Sequence, residues 1–179
     1  NKLRPAEEIV EEANTLFYQD KISVKQRTSI INTAVAVTQT DINKAKSVET
    51  VANAMAGDTS ALPTQKDVDV YYDQVQERFD ASPTKIADQA QFIGSTRLIP
   101  TRVKREVESA LLSQDMGLMA AAVDLIDRVD EIPGMFNELV TPNQRAYATT
   151  VASLSEVLSP EQAVVEARKL TDPRNKDRV

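Results

Sequence analysis

Apolar residues recur at helical spacing along almost the whole chain, and no stretch of the sequence shows the clean alternation of a half-buried strand. Near the amino terminus, Ile9, Val10 and Ala13 share one side of a helix that can begin at Pro5. Turn-forming residues divide this pattern into segments of the length that helices have in packed domains. The sequence therefore predicts an all-α fold.

The turn-forming residues predict about ten short helices. In chain order, the predicted helices begin at or near Pro5, Ser23, Lys44, Asp67, Ser82, Pro100, Met116, Met135, Thr141 and Ser159. The second is expected to end before Asp41, the third at Gly57 and the fifth at Gly94, while the eighth covers only residues 135–140. Pairs such as Ser82-Pro83 combine an N-cap side chain with a proline in the first turn.

The helices are predicted to form a single domain over residues 1–179, with the turn-rich stretch 57–66 as a candidate internal boundary. A polar ending predicts that the chain is a fragment of a longer protein. The expected arrangement is a multi-helix bundle. A more regular form of such a bundle is a stack of helical-hairpin pairs. The joints at Gln114-Asp115 and Ser159-Pro160 lie about 45 residues apart, which is a period found in helical-hairpin repeats.

The same spacing predicts which side chains form the core. The residues expected to point inward in the second helix are Val24, Ile30, Ile31, Ala34 and Val37. Those expected to point inward in the later helices are Val103, Val107, Ala110 and Leu111; Leu118, Met119, Ala122, Val123, Leu125 and Ile126; and Ala163, Val164, Ala167 and Leu170. Among the aromatic residues, Tyr71 and Phe79 are predicted as core and Tyr72 as boundary.

The chain contains neither His nor Cys, which removes the side chains on which most thiol, zinc and proton-transfer chemistry depends. The motifs GxxxxGK(S/T), GxGxxG and GxSxG are absent from the sequence. A net charge of -6 disfavours nucleic-acid binding by overall charge, and no apolar run approaches the roughly 20 residues that span a bilayer. We therefore assign no catalytic, cofactor-binding or metal-ligating residue, and we expect no small-molecule substrate.

Three acidic groups invite a site interpretation. They are Glu7, Glu8, Glu11 and Glu12; Asp67, Asp69 and Asp73; and Asp124, Asp127, Asp130 and Glu131, with Arg128 among the last. The first suggests a carboxylate metal cluster, the second a calcium loop and the third a paired-carboxylate glycosidase site. Because the first lies in an early helical turn and the third at helical spacing, we predict solvated faces for both. The second lacks a loop glycine, and we predict Asp67 as a helix N-cap.

Basic residues form one local group near Pro100 and another towards the carboxyl end. They are Arg97, Arg102, Lys104 and Arg105, and Arg168, Lys169, Arg174, Lys176 and Arg178. The first group could meet a phosphate backbone or an anionic lipid surface, but Glu106 and Glu108 follow at once. We therefore predict a solvated helix start for the first group and a linker to a following domain for the second.

Two longer stretches carry a family resemblance. The first, residues 61–74 (ALPTQKDVDVYYDQ), is a polar loop that runs into an Asp-x-Tyr-Tyr helix. The second, residues 141–173, contains an Arg-x-Tyr-Ala helix start followed by a Pro-Glu-x-Ala-Val helix. Together they cover about a quarter of the chain and resemble segments of the large internal virion proteins of short-tailed bacteriophages. Neither stretch contains a catalytic signature.

This resemblance implies a structural segment of a DNA-ejection protein, which is stored in the capsid interior and then helps to form a conduit across the bacterial cell envelope. The implied partners are further copies of the chain, because conduits close by cyclic symmetry, and other ejection proteins. Phage DNA or the host membrane would be contacted through other parts of the parent chain. Some members of the family carry a transglycosylase domain, but the catalytic motif of that domain is not recognisable here. We therefore expect a non-enzymatic segment of a parent whose own activity stays open.

Two alternatives stay open. One is a helical-repeat adaptor that binds a protein partner through a concave face and stays monomeric until that partner arrives. The other, which is less favoured, is a glycan-cleaving domain that uses carboxylates. Such a domain would cleave peptidoglycan and lose this activity when one acidic residue is changed.

Overall fold

A computed structural model describes residues 4–58, 60–113 and 115–171. Within these ranges the chain forms eight α-helices and no strand, which confirms the predicted all-α fold. The helices are α1 (Ala6–Tyr18), α2 (Val24–Met55), α3 (Gln65–Ala81), α4 (Lys85–Thr96), α5 (Thr101–Leu112), α6 (Met116–Asp130), α7 (Pro142–Leu154) and α8 (Pro160–Thr171). Eight is close to the predicted ten, and two local differences account for the two helices that are not formed.

The first difference is that the predicted second and third helices form the single helix α2. The helix runs through Asp41, where the sequence pattern predicts an end. No Pro or Gly lies between Ser23 and Gly57. An Asp or Asn in the interior of a helix lowers its stability only slightly, so the helix continues. Gly57 follows the helix with a φ of 88°, a left-handed conformation that glycine adopts without strain.

The second difference is that residues 135–140 form turns instead of the predicted short helix. Asn137 has a φ of 63°, which a right-handed helix cannot contain and which Asn tolerates better than most residues. Its backbone N–H donates to the carboxylate of Asp130 at 2.8 Å. A contact with the preceding helix therefore overrides the local helical pattern.

Side chains cap two of the helix starts, and the cap of α7 is the predicted one. The Thr141 hydroxyl accepts from the N–H of Gln144, and the Gln144 side chain accepts from the N–H of Thr141, so that a capping box begins α7. Asp115 caps α6 by accepting from two backbone N–H groups. In α3, however, Thr64 is the N-cap and Asp67 completes the capping box as the third helical residue, so the predicted N-cap role of Asp67 is wrong.

Helix α4 begins and ends later than predicted. Ser82-Pro83 lies before the helix, where Ser82 is the C-cap of α3 and its hydroxyl donates to the carboxylate of Asp88 at 2.6 Å. The helix continues through Gly94, since a glycine weakens a helix interior by only about 1 kcal/mol. It ends where Arg97 adopts a left-handed φ of 57°.

The chain divides into two compact units, Asn1–Glu49 and Thr50–Val179. The division falls within α2, and the turn-rich residues 57–66 lie in the second unit. In the described part of the first unit, the only buried apolar side chains are Ala13 of α1 and Ala34 of α2. The first unit therefore has very little core of its own.

Helix α6 lies at the centre of the second unit and contacts α4, α5 and α7. Its buried side chains are Met119, Ala122, Leu125, Ile126 and Val129. Most of the broad apolar face predicted for this helix is thus covered, but Leu118, which is predicted to point inward, is exposed. Leu118 lies in the first turn of α6, next to the cap.

The predicted inward faces of α5 and α8 are mostly confirmed. Val103, Val107 and Leu111 are buried, as are Ala163, Val164 and Ala167. Leu170 is exposed instead of buried, and α7 ends at Leu154, although the apolar spacing from Tyr147 to Leu158 predicts a longer helix. Both errors fall in the last turn of a predicted helix, where periodicity is least informative because helix ends fray.

The aromatic cluster of α3 reverses the predicted burial of its tyrosines. Tyr72, which is predicted at the boundary, is fully buried, whereas Tyr71 and Phe79 are only partly buried. The Tyr72 ring stacks on Phe79 with centroids 5.2 Å apart, and its hydroxyl accepts a hydrogen bond from the buried Gln89 amide at 2.6 Å. Burial raises the pKa of Tyr72 to about 12. A tyrosine can be this deeply buried because another buried side chain pairs with its hydroxyl.

Replacing Tyr72 with Phe should destabilise the second unit by about 1–2 kcal/mol, because the buried Gln89 amide loses its acceptor. Burial raises the pKa of Tyr72 from its unfolded value of about 10 to about 12. The stability that the neutral, buried hydroxyl contributes is therefore fully present below about pH 10 and is lost as the pH rises towards about 12. Between these pH values, Tyr72→Phe should lose less stability than the wild type in urea unfolding followed by circular dichroism.

The control for this experiment is Tyr18→Phe, because the Tyr18 side chain is 79% exposed. This substitution should leave both the free energy of unfolding and its alkaline decline unchanged. Equal alkaline losses in the wild type and Tyr72→Phe would contradict the assigned role of the buried hydroxyl.

Candidate interaction site

The acidic residues in the first turns of α1 form an exposed face, as predicted. Glu7, Glu8, Glu11 and Glu12 are all exposed. Arg4 lies beside two of them, at 2.7 Å from Glu12 and 3.6 Å from Glu8, and the hydrogen bond and charge of Glu12 raise the pKa of the guanidinium. The group is thus a surface ion-pair network.

The second acidic group is divided among separate contacts. Asp67 belongs to the capping box of α3, and Asp73 lines a groove in the second unit. The Asp69 carboxylate accepts from both the backbone N–H and the hydroxyl of Thr101, at 2.7 and 2.8 Å. Because Pro100 gives α5 no side-chain cap, Asp69 supplies one from another helix.

In the third acidic group, Asp130 does not belong to the predicted solvated stripe. Its side chain is only 6% exposed and forms an ion pair with Arg145 of α7. Arg145 also lies 3.7 Å from Asp127, whose side chain is 63% exposed. Asp124 pairs instead with Arg128 along α6, at 2.9 Å. The most buried carboxylate of the group therefore joins two helices.

Arg145 contacts several elements of the second unit. Its guanidinium lies over the ring of Phe136, 4.6 Å from the centroid, in addition to its ion pair with Asp130. One side chain thus connects α6, the following turns and α7. Among the residues that the structure describes, no cluster of acidic side chains is arranged to hold a metal ion.

The basic group near Pro100 is dispersed over separate contacts. Arg97 donates to the backbone carbonyl of Pro133 at 2.8 Å. Arg102 pairs with Glu106 at 3.0 Å, and both line a groove of about 750 Å³ together with Arg105. Because this groove contains charges of both signs, the basic group does not form one cationic surface. Of the second basic group, Arg168 and Lys169 lie in the last turn of α8, and Arg174, Lys176 and Arg178 lie outside the described residues.

The first unit has an open groove of about 880 Å³ between α1 and α2. Apolar side chains that line it include Ile9 of α1 and Ile30, Val37 and Ile42 of α2, and the last three are exposed. The prediction that Ile30 and Val37 point into the core is therefore wrong, as it is for the exposed Val24. Exposed apolar side chains around an open groove are a feature of sites that bind another molecule. We take this groove and the adjoining flank of α2 as the candidate interaction site.

The middle of α2 is unusual for a helix in contact with water. Residues 28–40 contain no charged side chain, yet Ala34 is the only buried residue among them. Val35 and Val37 are both exposed. Because a solvated helix face normally carries charged residues, this composition is typical of a helix that packs against others on several sides.

No protein-family model, curated protein or solved structure matches this chain. None of the described helices combines the length and hydropathy required to cross a lipid bilayer. What the chain does is therefore inferred from its own residues. The strongest indication among them is the exposed apolar surface of α1 and α2.

Replacing Asp130 with Asn should destabilise the second unit by about 2 kcal/mol, because the Arg145 guanidinium loses its charged partner in a largely buried position. This value lies below the usual cost of breaking a buried pair, about 3–5 kcal/mol, since the Arg145 side chain is still 22% exposed. The measurement is urea unfolding of the full chain.

Asp127→Asn is the matched control, because Asp127 lies on the same helix and faces the same arginine from a longer distance. As an exposed pair, it should contribute less than about 0.5 kcal/mol. Equal effects of the two substitutions would show that Asp130 is not the principal partner of Arg145.

Proposed function

We propose that this chain is a structural, non-enzymatic helical segment of an internal virion protein of a short-tailed bacteriophage. In this proposal the parent protein is stored in the capsid interior. After release, its copies associate with one another and with other ejection proteins in the host cell envelope, where they help to form a conduit for DNA. Contacts with phage DNA or the host membrane belong to other parts of the parent chain.

The observation that carries the proposal is the exposed apolar surface of the first unit. Ile30, Val37 and Ile42 line an open groove, while the only apolar side chains that the described part of this unit buries are two alanines. So small a core contributes little stability, and the unit is stabilised when a second surface covers its apolar residues. Assembly into a larger structure supplies such a surface.

Two sequence observations connect this assembly with phage ejection proteins. Residues 61–74 and 141–173 resemble segments of that family, and in the structure they lead into α3 and contribute α7 and α8. The net charge of -6 is compatible with a conduit, because an acidic wall does not retain the phosphates of DNA that moves past it.

The second candidate function is a helical-repeat adaptor for a protein partner. Its support is the packing order in the second unit, where α3 contacts α4, α5 contacts α6, and α7 contacts α8. Contacts of α6 with both α4 and α7 connect these pairs. Three connected pairs suit a stack of helical hairpins, whose surface binds protein partners in repeat proteins.

The two candidates differ in self-association. Light scattering on the full-length parent, with and without vesicles of bacterial phospholipids, should give a closed assembly of several copies that associates with the vesicles. The isolated chain of 19.7 kDa serves as the mass reference. A strict monomer in every condition would contradict the proposed function and favour the adaptor.

A further inference from the structure

We propose that the middle of α2 is a two-fold interface, at which a second copy of this chain packs antiparallel to the first. The inference rests on the proposed function in one respect: it assigns one of the contacts in the parent's self-association to one helix flank. All the residues that carry it lie in the first unit.

Two neighbouring rows of side chains run along this flank of α2, each with a spacing of four residues. The first row is Lys25, Ser29, Thr33, Val37 and Asp41, and the second is Thr28, Asn32, Ala36, Thr40 and Lys44. All of these residues are exposed, and together they form one open face of α2. Rows with this spacing are the ridges by which helices most often interlock, at crossing angles of about -50°.

The centre of the flank is suited to close contact with another helix. Ser29, Thr33 and Ala36 are small, so a ridge of a second helix can approach the backbone closely. The hydroxyls of Thr33 and Thr40 donate to the carbonyls of Ser29 and Ala36 at 2.9 and 2.8 Å. Since both donors already have partners within the helix, covering them leaves neither unsatisfied.

The two ends of the first row carry opposite charges. Lys25 and Asp41 lie eight residues before and after Thr33, and neither forms an ion pair within the part of the chain that the structure describes. An antiparallel copy with its two-fold axis at Thr33 places Lys25 of each copy beside Asp41 of the other. A parallel copy would bring like charges together, which is unfavourable.

A second copy of the chain fits this flank because the first row is complementary to itself. An interface of this kind uses the same patch on both subunits and closes with two copies, so assemblies built on it contain an even number of chains. The row from Lys25 to Asp41 is about 24 Å long at 1.5 Å per residue. Such a contact is at the small end of specific interfaces, so the isolated chain should pair weakly, and additional contacts in the parent should strengthen the pairing.

The first test uses the absence of cysteine from the chain. On the proposed axis, residue 33 of one copy meets residue 33 of the other, so Thr33→Cys should form a disulfide-linked dimer under mild oxidation. Val35→Cys is the control, because Val35 is 56% exposed but lies on the opposite side of the helix. Thr33→Cys should cross-link several-fold more than Val35→Cys, and equal cross-linking would overturn the proposed interface. Circular dichroism checks that both variants retain their helices.

The second test reverses the charges. Lys25→Glu and Asp41→Lys should each weaken dimerisation by about tenfold in analytical ultracentrifugation of the full chain, because each change creates two like-charge pairs. The double variant K25E/D41K exchanges the charges and should restore dimerisation to within about threefold of the wild type. Without this rescue, the antiparallel register is wrong.

These tests separate the inference from the proposed function. If the parent assembles but its assembly is unaffected by the single charge reversals, self-association uses another surface and the inference is wrong. If α2 pairs as described but the parent neither forms a larger assembly nor associates with vesicles, the inference stands and the phage function is wrong. A chain and parent that are monomeric at every concentration would contradict both.

Discussion

The second unit depends on the burial of α6 between three neighbouring helices. Met119, Ile126 and Val129 are almost completely buried there, and each large side chain removed from water contributes about 1.5–3 kcal/mol. The helices that contact α6 have only 12 or 13 residues, and helices of that length are marginal in water on their own. Helices α4, α5 and α7 therefore owe their stability largely to the surface that α6 gives them.

Features that depend on neighbouring residues could be predicted from the sequence. The all-α class follows from the spacing of apolar residues, and the starts of α6 and α7 follow from Asp115 and Thr141, whose side chains act within one turn. Errors arose where a contact from elsewhere decides the local structure. Residues around Asn137 form turns instead of a helix, because the Asn137 N–H donates to the carboxylate of Asp130. Tyr72 is buried in the core, where the Gln89 amide pairs with its hydroxyl.

The candidate site could be predicted only in part, for the same physical reason. A sequence shows which residues can ionise, but it does not show which of them meet. Asp69 caps α5 across 32 residues, and Arg145 reaches Asp130 from the next helix, so no spacing rule connects either pair. The charge-free stretch 28–40 is visible in the sequence, but its significance depends on its exposure, which periodicity alone does not reveal.

The composition of that stretch has a consequence for the dynamics of α2. Eight of the thirteen residues 28–40 are β-branched and lose side-chain freedom in a helix. The hydroxyls of Thr33, Thr38 and Thr40 bond to carbonyls one turn earlier, an arrangement that slightly destabilises and bends helices. With little burial to compensate, local opening requires less free energy here than in α6, and backbone amides exchange with solvent sooner. A second surface that covers α2 would therefore also suppress this opening, so that association and ordering of the helix are one event.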